Sequence, residues 1–329
     1  MNEELKKYKI AVVAPVHIKL TDEWIASLKA VTKDCTVIIV DDSDGKVELP
    51  AEWDVYGYAR QEAELGELYK DFKQFHKSSA CRNFGHWIAY KQGFDIIIAL
   101  DSDCIVGPDF ISKHVEELSC NSYGWVNTIK NTSWFPRGYP YFERMRPTVM
   151  NIGLWEHELD INGRDRVKRG QPPAGPMIDK QEIAHGILPL CGMNVAMWSY
   201  AVPGFLFLPN IDMGEVKIRR YDDIWGGYIF QKLMQKTNDL IRYGYPIVYH
   251  DTIVDADADA ELEEDGIRLE ASFYNIVDTV CADINPDTYA NMFKELASFG
   301  IWKQSPFKKY LPGFELWVKM FDDKKYEKN

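Results

Sequence analysis

The sequence lacks paired cysteines. Its six, at 35, 81, 104, 120, 191 and 281, form no CxxC motif. That excludes a zinc ribbon or a dithiol redox centre and fits free thiols in a reducing compartment. No apolar run is long enough to span a bilayer. The opening MNEELKKYK is charged where a signal peptide would be apolar, so the expectation is a cytoplasmic protein with no membrane span. Positive charge is in short supply: 38 Lys and Arg face 50 Asp and Glu, a net charge of −12. Nucleic acid and anionic membranes are repelled by such a field and are not expected as partners. No GxSxG, P-loop or GxGxxG stands out, which leaves hydrolase, kinase and dehydrogenase chemistry without a motif.

What remains reads as a globular α/β chain. Its 329 residues suffice for one large domain or two small ones. Residues 9–14 (KIAVVA) form a short apolar strand ending at Pro15. Thr21 can cap a helix with Asp22 and Glu23 in its first turn, after which Trp24, Ile25, Leu28 and Val31 recur at helical spacing. Residues 36–40 (TVIIV) are a β-branched strand running into DDSD. A helix follows Ser79, a third buried strand covers 95–100 (DIIIAL), and an amphipathic helix follows Pro108. Continuous apolar strands separated by helices build a mostly parallel sheet covered on both faces. Such sheets bind ligands at the carboxyl ends of their strands, and the polar clusters of this chain follow its strands at that place.

The stretch 131–190 is rich in Pro, Gly, Arg and Trp with poor periodicity, the mark of a long functional loop. A helix resumes near Asp222, and residues 246–249 (PIVY) form a late strand ending at His250. The acidic run 255–265 lacks the glycine and final ligand of a calcium hand and reads as a solvated loop. Beyond it, 266–329 looks helical. The expected division is 1–250 as the catalytic domain and 251–329 as an acidic loop and helical extension packed on it.

Several clusters could carry chemistry. Asp101-Ser102-Asp103 sets two carboxylates at the end of a buried strand, donors suited to Mg²⁺ or Mn²⁺. Solvated turn acids are the bland alternative, and the strand before them favours the metal. His250 could complete that shell, although a lone His is more often structural. In Asp41-Asp42-Ser43-Asp44, a carboxylate could accept an imide N–H or close an Asx turn. Arg82, just inside a helix, favours an anion there, or it is a surface Arg. Arg137 and Arg144 suit phosphate groups or surface ion pairs. Gly192 permits a close approach. Asn194 could bond hydroxyls, while a bulged strand with a satisfied amide is the better reading of its pattern alone. Asp222 and Asp223 open a helix, where acids are also ordinary caps.

VIIVDDSD, SSACRNFG, ALDSDC, PRGYP with Arg144, GLW at 153–155, LPLCGMNVA and RYDDIWGG occur in order between about residues 10 and 250. Together they resemble the reversibly glycosylated polypeptides, a family that includes plant UDP-arabinopyranose mutases. The resemblance implies a GT-A-like (Rossmann-like) fold, a divalent metal (Mn²⁺ or Mg²⁺) and a UDP-sugar as partner, and it is compatible with a homo-oligomer. It implies reversible attachment of sugar to an arginine matching Arg137, with Arg144 as the second family arginine. Catalysis then falls to Arg137, Arg144, Asp222 and Asp223. Pro15, Asp42, Asp44, Arg82, Asp101, Ser102, Gly192, Asn194 and Trp225 would face the nucleotide sugar, and Asp101, Asp103 and His250 the metal. DSD departs from the DDD of the plant proteins but keeps both outer carboxylates, and 156–180 departs more. The expected function is pyranose–furanose interconversion of a UDP-sugar. The alternative is a metal-dependent transferase that moves the sugar to a separate glycan, protein or lipid.

Overall fold

The computed structural model describes residues 5–17, 20–122, 125–129, 134–140, 145–172 and 180–322. β1 (Ile10–Val16) is buried along its whole length. α1 (Asp22–Val31) starts where the Thr21 side chain accepts from the Trp24 N–H, with Asp22 and Glu23 in the first turn, where acids complement the helix dipole. β2 (Thr36–Asp41), β3 (Asp54–Tyr56), α2 (Tyr58–Leu65) and α3 (Tyr69–Phe72) follow. Then come α4 (Arg82–Lys91), β4 (Ile96–Leu100), β5 (Cys104–Ile105), α5 (Phe110–Leu118) and β6 (Asn121–Ser122).

The next stretch departs from the sequence reading. β7 (Arg146–His157) is a twelve-residue strand inside the segment expected to be irregular. It shows no alternation because residues 148–155 are all buried, and it carries Asn151 and Gly153 where apolar residues would have marked it. α6 (Gly163–Arg169), β8 (Glu182–Ile183) and β9 (Asn194–Trp198) follow, then the hairpin of β10 (Ile211–Met213) and β11 (Val216–Ile218). α7 (Asp222–Thr237) and β12 (Leu240–His250) lead into α8 (Ala256–Asp283), α9 (Tyr289–Ser298), α10 (Ile301–Gln304) and α11 (Leu311–Phe321).

The main sheet runs in the order β3-β2-β1-β4-β9-β7-β12-β5. β3, β2, β1 and β4 are mutually parallel, as are β7 and β12, while β9 lies antiparallel between β4 and β7. The period-2 rule of strands divides β1 between two cores. Ala11 and Val13 pack with Ile38, Val40 and Ile97 on one face. Val12 and Ala14 pack with Ile39 and Ile98 on the other, under Trp24 and Leu28 of α1 and Phe110 and Val115 of α5. The first face is closed by α4, α7 and the C-terminal helices: Trp225 stacks on Phe273 at 4.3 Å, and the Trp87 and Trp317 indoles donate to Met320 O and Pro203 O.

The acidic run is not a loop. The Asp255 side chain accepts from the Ala258 N–H and starts α8. Alanine favours helix, and Asp257 and Asp259 sit in the first turn where the dipole stabilises them. Alternating Asp and Ala thus writes a helix start.

Candidate functional site

A cleft of about 620 Å³ opens at the carboxyl ends of β1, β2 and β4. Pro15, Asp42, Arg82, Asp101, Ser102 and Asp103 line it, together with His17, Lys46, Lys77 and Arg220. The chain ends of three parallel strands converge here because β1 and β2 pair in register up to Val16 and Asp41, and the Asp42 N–H donates to Val16 O.

The DDSD cluster divides its labour. Asp41 closes the turn, accepting from Ser43 N and Gly45 N at 2.9 and 3.1 Å. Asp42 is buried and faces the cleft. It accepts from the Tyr58 hydroxyl at 2.7 Å and from Lys77 N at 2.5 Å, and His17 Nδ1 lies 3.1 Å away. Burial alone would raise its pKa, but the bonds from His17 and Tyr58 hold it below the ordinary carboxylate value. Asp44 points elsewhere: it is exposed, at φ 65°, and is not among the residues lining the cleft.

Arg82 starts α4 but turns inward. Nε donates to Ser79 O at 2.9 Å, Nη1 to Gly192 O at 2.8 Å, and Nη2 pairs with Asp101 at 2.5 Å. Gly192 is required by this packing, since a Cβ there would sit 2.4 Å from the Phe207 ring. Its N–H donates to Asp223 at 2.9 Å. Burial, and then the charge of Asp222, push the Asp223 carboxyl up to about 8. Asp222 itself is bonded by the Ser79 hydroxyl, and neither helix-opening acid is among the residues lining the cleft.

The expected metal triad is not drawn together. A nearly fully buried Arg82 needs a counter-charge and takes Asp101, while Asp103 lies 3.5 Å from His250 Nε2. Burial would push the His250 imidazole down, but the Asp103 carboxylate holds it above its ordinary value. Burial likewise opposes ionisation of Asp103, yet His250 keeps its carboxyl low. His250 Nδ1 lies 2.7 Å from Glu158 O. A ring anchored this way presents Nε2 outward, the arrangement that orients imidazole ligands. Two carboxylates and this nitrogen therefore fit Mn²⁺ or Mg²⁺ in donor type. Among the described residues, one trio brings its ligand atoms within 4.8 Å of one another: His17, Asp42 and Cys81. There His17 bridges the other two through its two ring nitrogens, 3.1 Å to Asp42 and 3.9 Å to Cys81, and the thiolate donor is soft where Mn²⁺ and Mg²⁺ are hard.

Two expected ligand contacts lie elsewhere. Asn194 is fully buried with its amide spent: Oδ1 meets His114 Nε2 at 2.9 Å, and Nδ2 donates to Leu154 O and Pro246 O at 2.9 and 3.0 Å. It fastens β9 to β7 and β12, and a Cβ on Gly153 would sit 2.3 Å from its Nδ2. Trp225 is likewise fully buried, stacked in the core where α7 meets α8.

Arg137 is exposed and does not line the cleft. Its segment enters β7 at Arg146, beside β6. β7 and β12 run in parallel from Thr148–Leu240 to His157–His250, and His250 is the end beside Asp103. Arg144 lies outside the described residues. The sequence reading passed over Lys77 and quoted Arg220 in RYDDIWGG without giving it a role. Both are non-glycine residues at positive φ, 58° and 57°, a conformation with no signature in Lys or Arg.

A family model described as "Reversibly glycosylated polypeptide" matches residues 5–325. UDP-arabinopyranose mutase 1 of Arabidopsis thaliana is 25% identical over 308 residues, covering 87% of this chain and 85% of its own. UDP-arabinopyranose mutase 2 of the same plant is 28% identical over 231 residues, covering 65% and 63%. Among solved structures, glucosyl-3-phosphoglycerate synthase from Mycobacterium tuberculosis, in complex with Mn²⁺, UDP and phosphoglyceric acid, aligns with a TM-score of 0.47 at 13% identity, covering 82% of this chain and 80% of its own.

Proposed function

Since the chain belongs to the reversibly glycosylated polypeptide family, we propose that it is a UDP-sugar mutase that interconverts pyranose and furanose forms. The observation that carries this reading is the cleft itself. An acid for the base, cations for the phosphates and a pair of strand-end carboxylates lie in one recess of a chain whose net charge is −12.

Asp42, kept ionised by its surroundings, is the acceptor for the uracil imide. Lys77, whose Nζ donates to Asp42 O at 3.0 Å, stands over the same part of the cleft. Asp101, Asp103 and His250 would hold a divalent ion, which when bound offsets charge on a departing diphosphate. Ring contraction needs the C1–O bond of the ring to open, and UDP on C1 blocks that step. The protein must therefore release UDP, hold the sugar and return UDP to it. Asp223, protonated up to about pH 8 behind Gly192, is the group we assign to exchanging a proton on that side. The PRGYP motif supports Arg137 as the arginine that carries sugar transiently. Its nitrogen would bond C1 as the C1–O bond to UDP breaks, with its proton passing to solvent. Since Arg137 does not line the cleft, the step requires its segment to reach the sugar.

The test is incubation of the pure protein with Mn²⁺ and a panel of UDP-sugars, UDP-arabinopyranose included, followed by chromatography. The expected result is a new peak of unchanged mass that Asp103→Ala abolishes. Tight UDP binding with no isomer from any sugar would sink the mutase reading and leave transfer to a separate acceptor.

A further inference from the structure

Arg220 lines the cleft and the function proposed above leaves it without a task. It stands between β11 and α7 at φ 57°. A non-glycine residue rarely adopts this left-handed conformation, and two consecutive side chains part here. Tyr221 enters the core against α8, so close that a Cβ on Gly266 would lie 2.2 Å from its ring. Arg220 instead turns toward the cleft, 42% exposed.

Three carboxylates hold it. Nε donates to Glu263 Oε1 at 3.2 Å, Nη1 lies 3.2 Å from Asp259, and Nη2 lies 3.7 Å from Asp160. Glu263 is itself buried and fixed by the Gly163 N–H at 2.8 Å. Glu263 and Asp259 are themselves mostly buried, at 8% and 20% exposure, so these pairs fix the direction of the half-exposed guanidinium. The guanidinium has five N–H groups, more than these contacts take, and its planar fork suits phosphate oxygens. Arg82, the other arginine of the cleft, is 3% exposed and held by Asp101, where Arg220 is 42% exposed.

We propose that Arg220 is a phosphate-binding residue of the cleft, taking a diphosphate oxygen of the nucleotide, and that Asp259 and Glu263 of α8, with Asp160, are positioning residues that aim its fork. This rests on the reading of the cleft as a UDP-sugar site. It gives the acidic start of α8 a part in recognition although none of its carboxylates lines the cleft.

Calorimetric titration with UDP and with uridine, at fixed Mn²⁺, separates the phosphate contribution from that of the base. Arg220→Gln is expected to weaken UDP roughly tenfold or more, about 1.4 kcal/mol, and to leave uridine unchanged. Equal losses for both ligands, or UDP affinity within about twofold of wild type, would overturn the proposal. If Arg220→Gln does not fold by circular dichroism, Arg220→Lys carries the same comparison, because a point charge lacks the fork. Glu263→Gln should shift the UDP-to-uridine ratio in the same direction, and an unchanged ratio removes its positioning role. Wild-type protein that binds neither ligand would instead overturn the UDP-sugar reading on which this one stands.

Discussion

Asp223 places a carboxyl where ionisation is opposed by burial and by Asp222. Its folded pKa of about 8 lies above the ordinary 3.8, so between those values the folded chain keeps a proton that the unfolded chain has lost. Stability therefore falls as pH rises through this window and levels off above it. Asp223→Asn keeps an oxygen for the Gly192 N–H and removes the titration. Urea unfolding at pH 5 and pH 8 should show the Asn variant gaining on wild type as pH rises, and parallel behaviour would contradict the assignment. At this scale the sequence was a good guide where chemistry and strand ends coincide. Pro15, Asp42, Arg82, Asp101, Ser102 and Asp103 all line one cleft. Where a polar or aromatic type serves packing, the family resemblance alone pointed to the ligand: Asn194, whose pattern read as a satisfied amide, is spent on α5, β7 and β12, and Trp225 on a stack with Phe273. Lys77 escaped, and Arg220 was quoted without a role, because the positive φ at each carries no mark in a Lys or Arg.

Secondary structure was legible where a strand is continuously apolar or a helix has one apolar face and a cap: β1, β2 and β4, and α1 with Thr21, follow that rule. β3 was not read, and β7 was missed because Asn151 and Gly153 interrupt its apolar run, Asn151 being paired inside to His114 and Tyr245 O. α8 was half-legible: composition suggested solvent, while Asp255 and the alanines wrote a cap and a helix. Its docking gives a sharp contest of magnitudes at Gly266. Glycine to alanine within a helix ordinarily stabilises by about 0.8–1 kcal/mol. Here the new Cβ would lie 2.2 Å from the buried Tyr221 ring, and overpacking costs about 1–3 kcal/mol. Gly266→Ala should lower the midpoint of thermal unfolding, and a rise would show that α8 yields at this contact.

The two cores on either face of the main sheet are closed by different parts of the chain. α1 and α5 cover one face, and the other is finished by helices from the last quarter of the sequence. Trp87 in α4 donates to Met320 and Trp225 stacks on Phe273, so truncation after Asp255 strips buried aromatic surface from the first core. The fragment 1–255 should lose cooperative thermal unfolding by circular dichroism. A sharp, reversible melt would mean that the N-terminal part folds by itself.

The hold of α8 on Arg220 also has a meaning in time. Synthesis runs from the amino end, so Asp42, Arg82 and the 101–103 acids leave the ribosome early, and Arg220 follows more than a hundred residues after Asp103. Asp259 and Glu263 come later still. The nascent protein thus carries most of its cleft well before it has the means to aim one of its cations. The finishing of the recess belongs to the last stage of its birth.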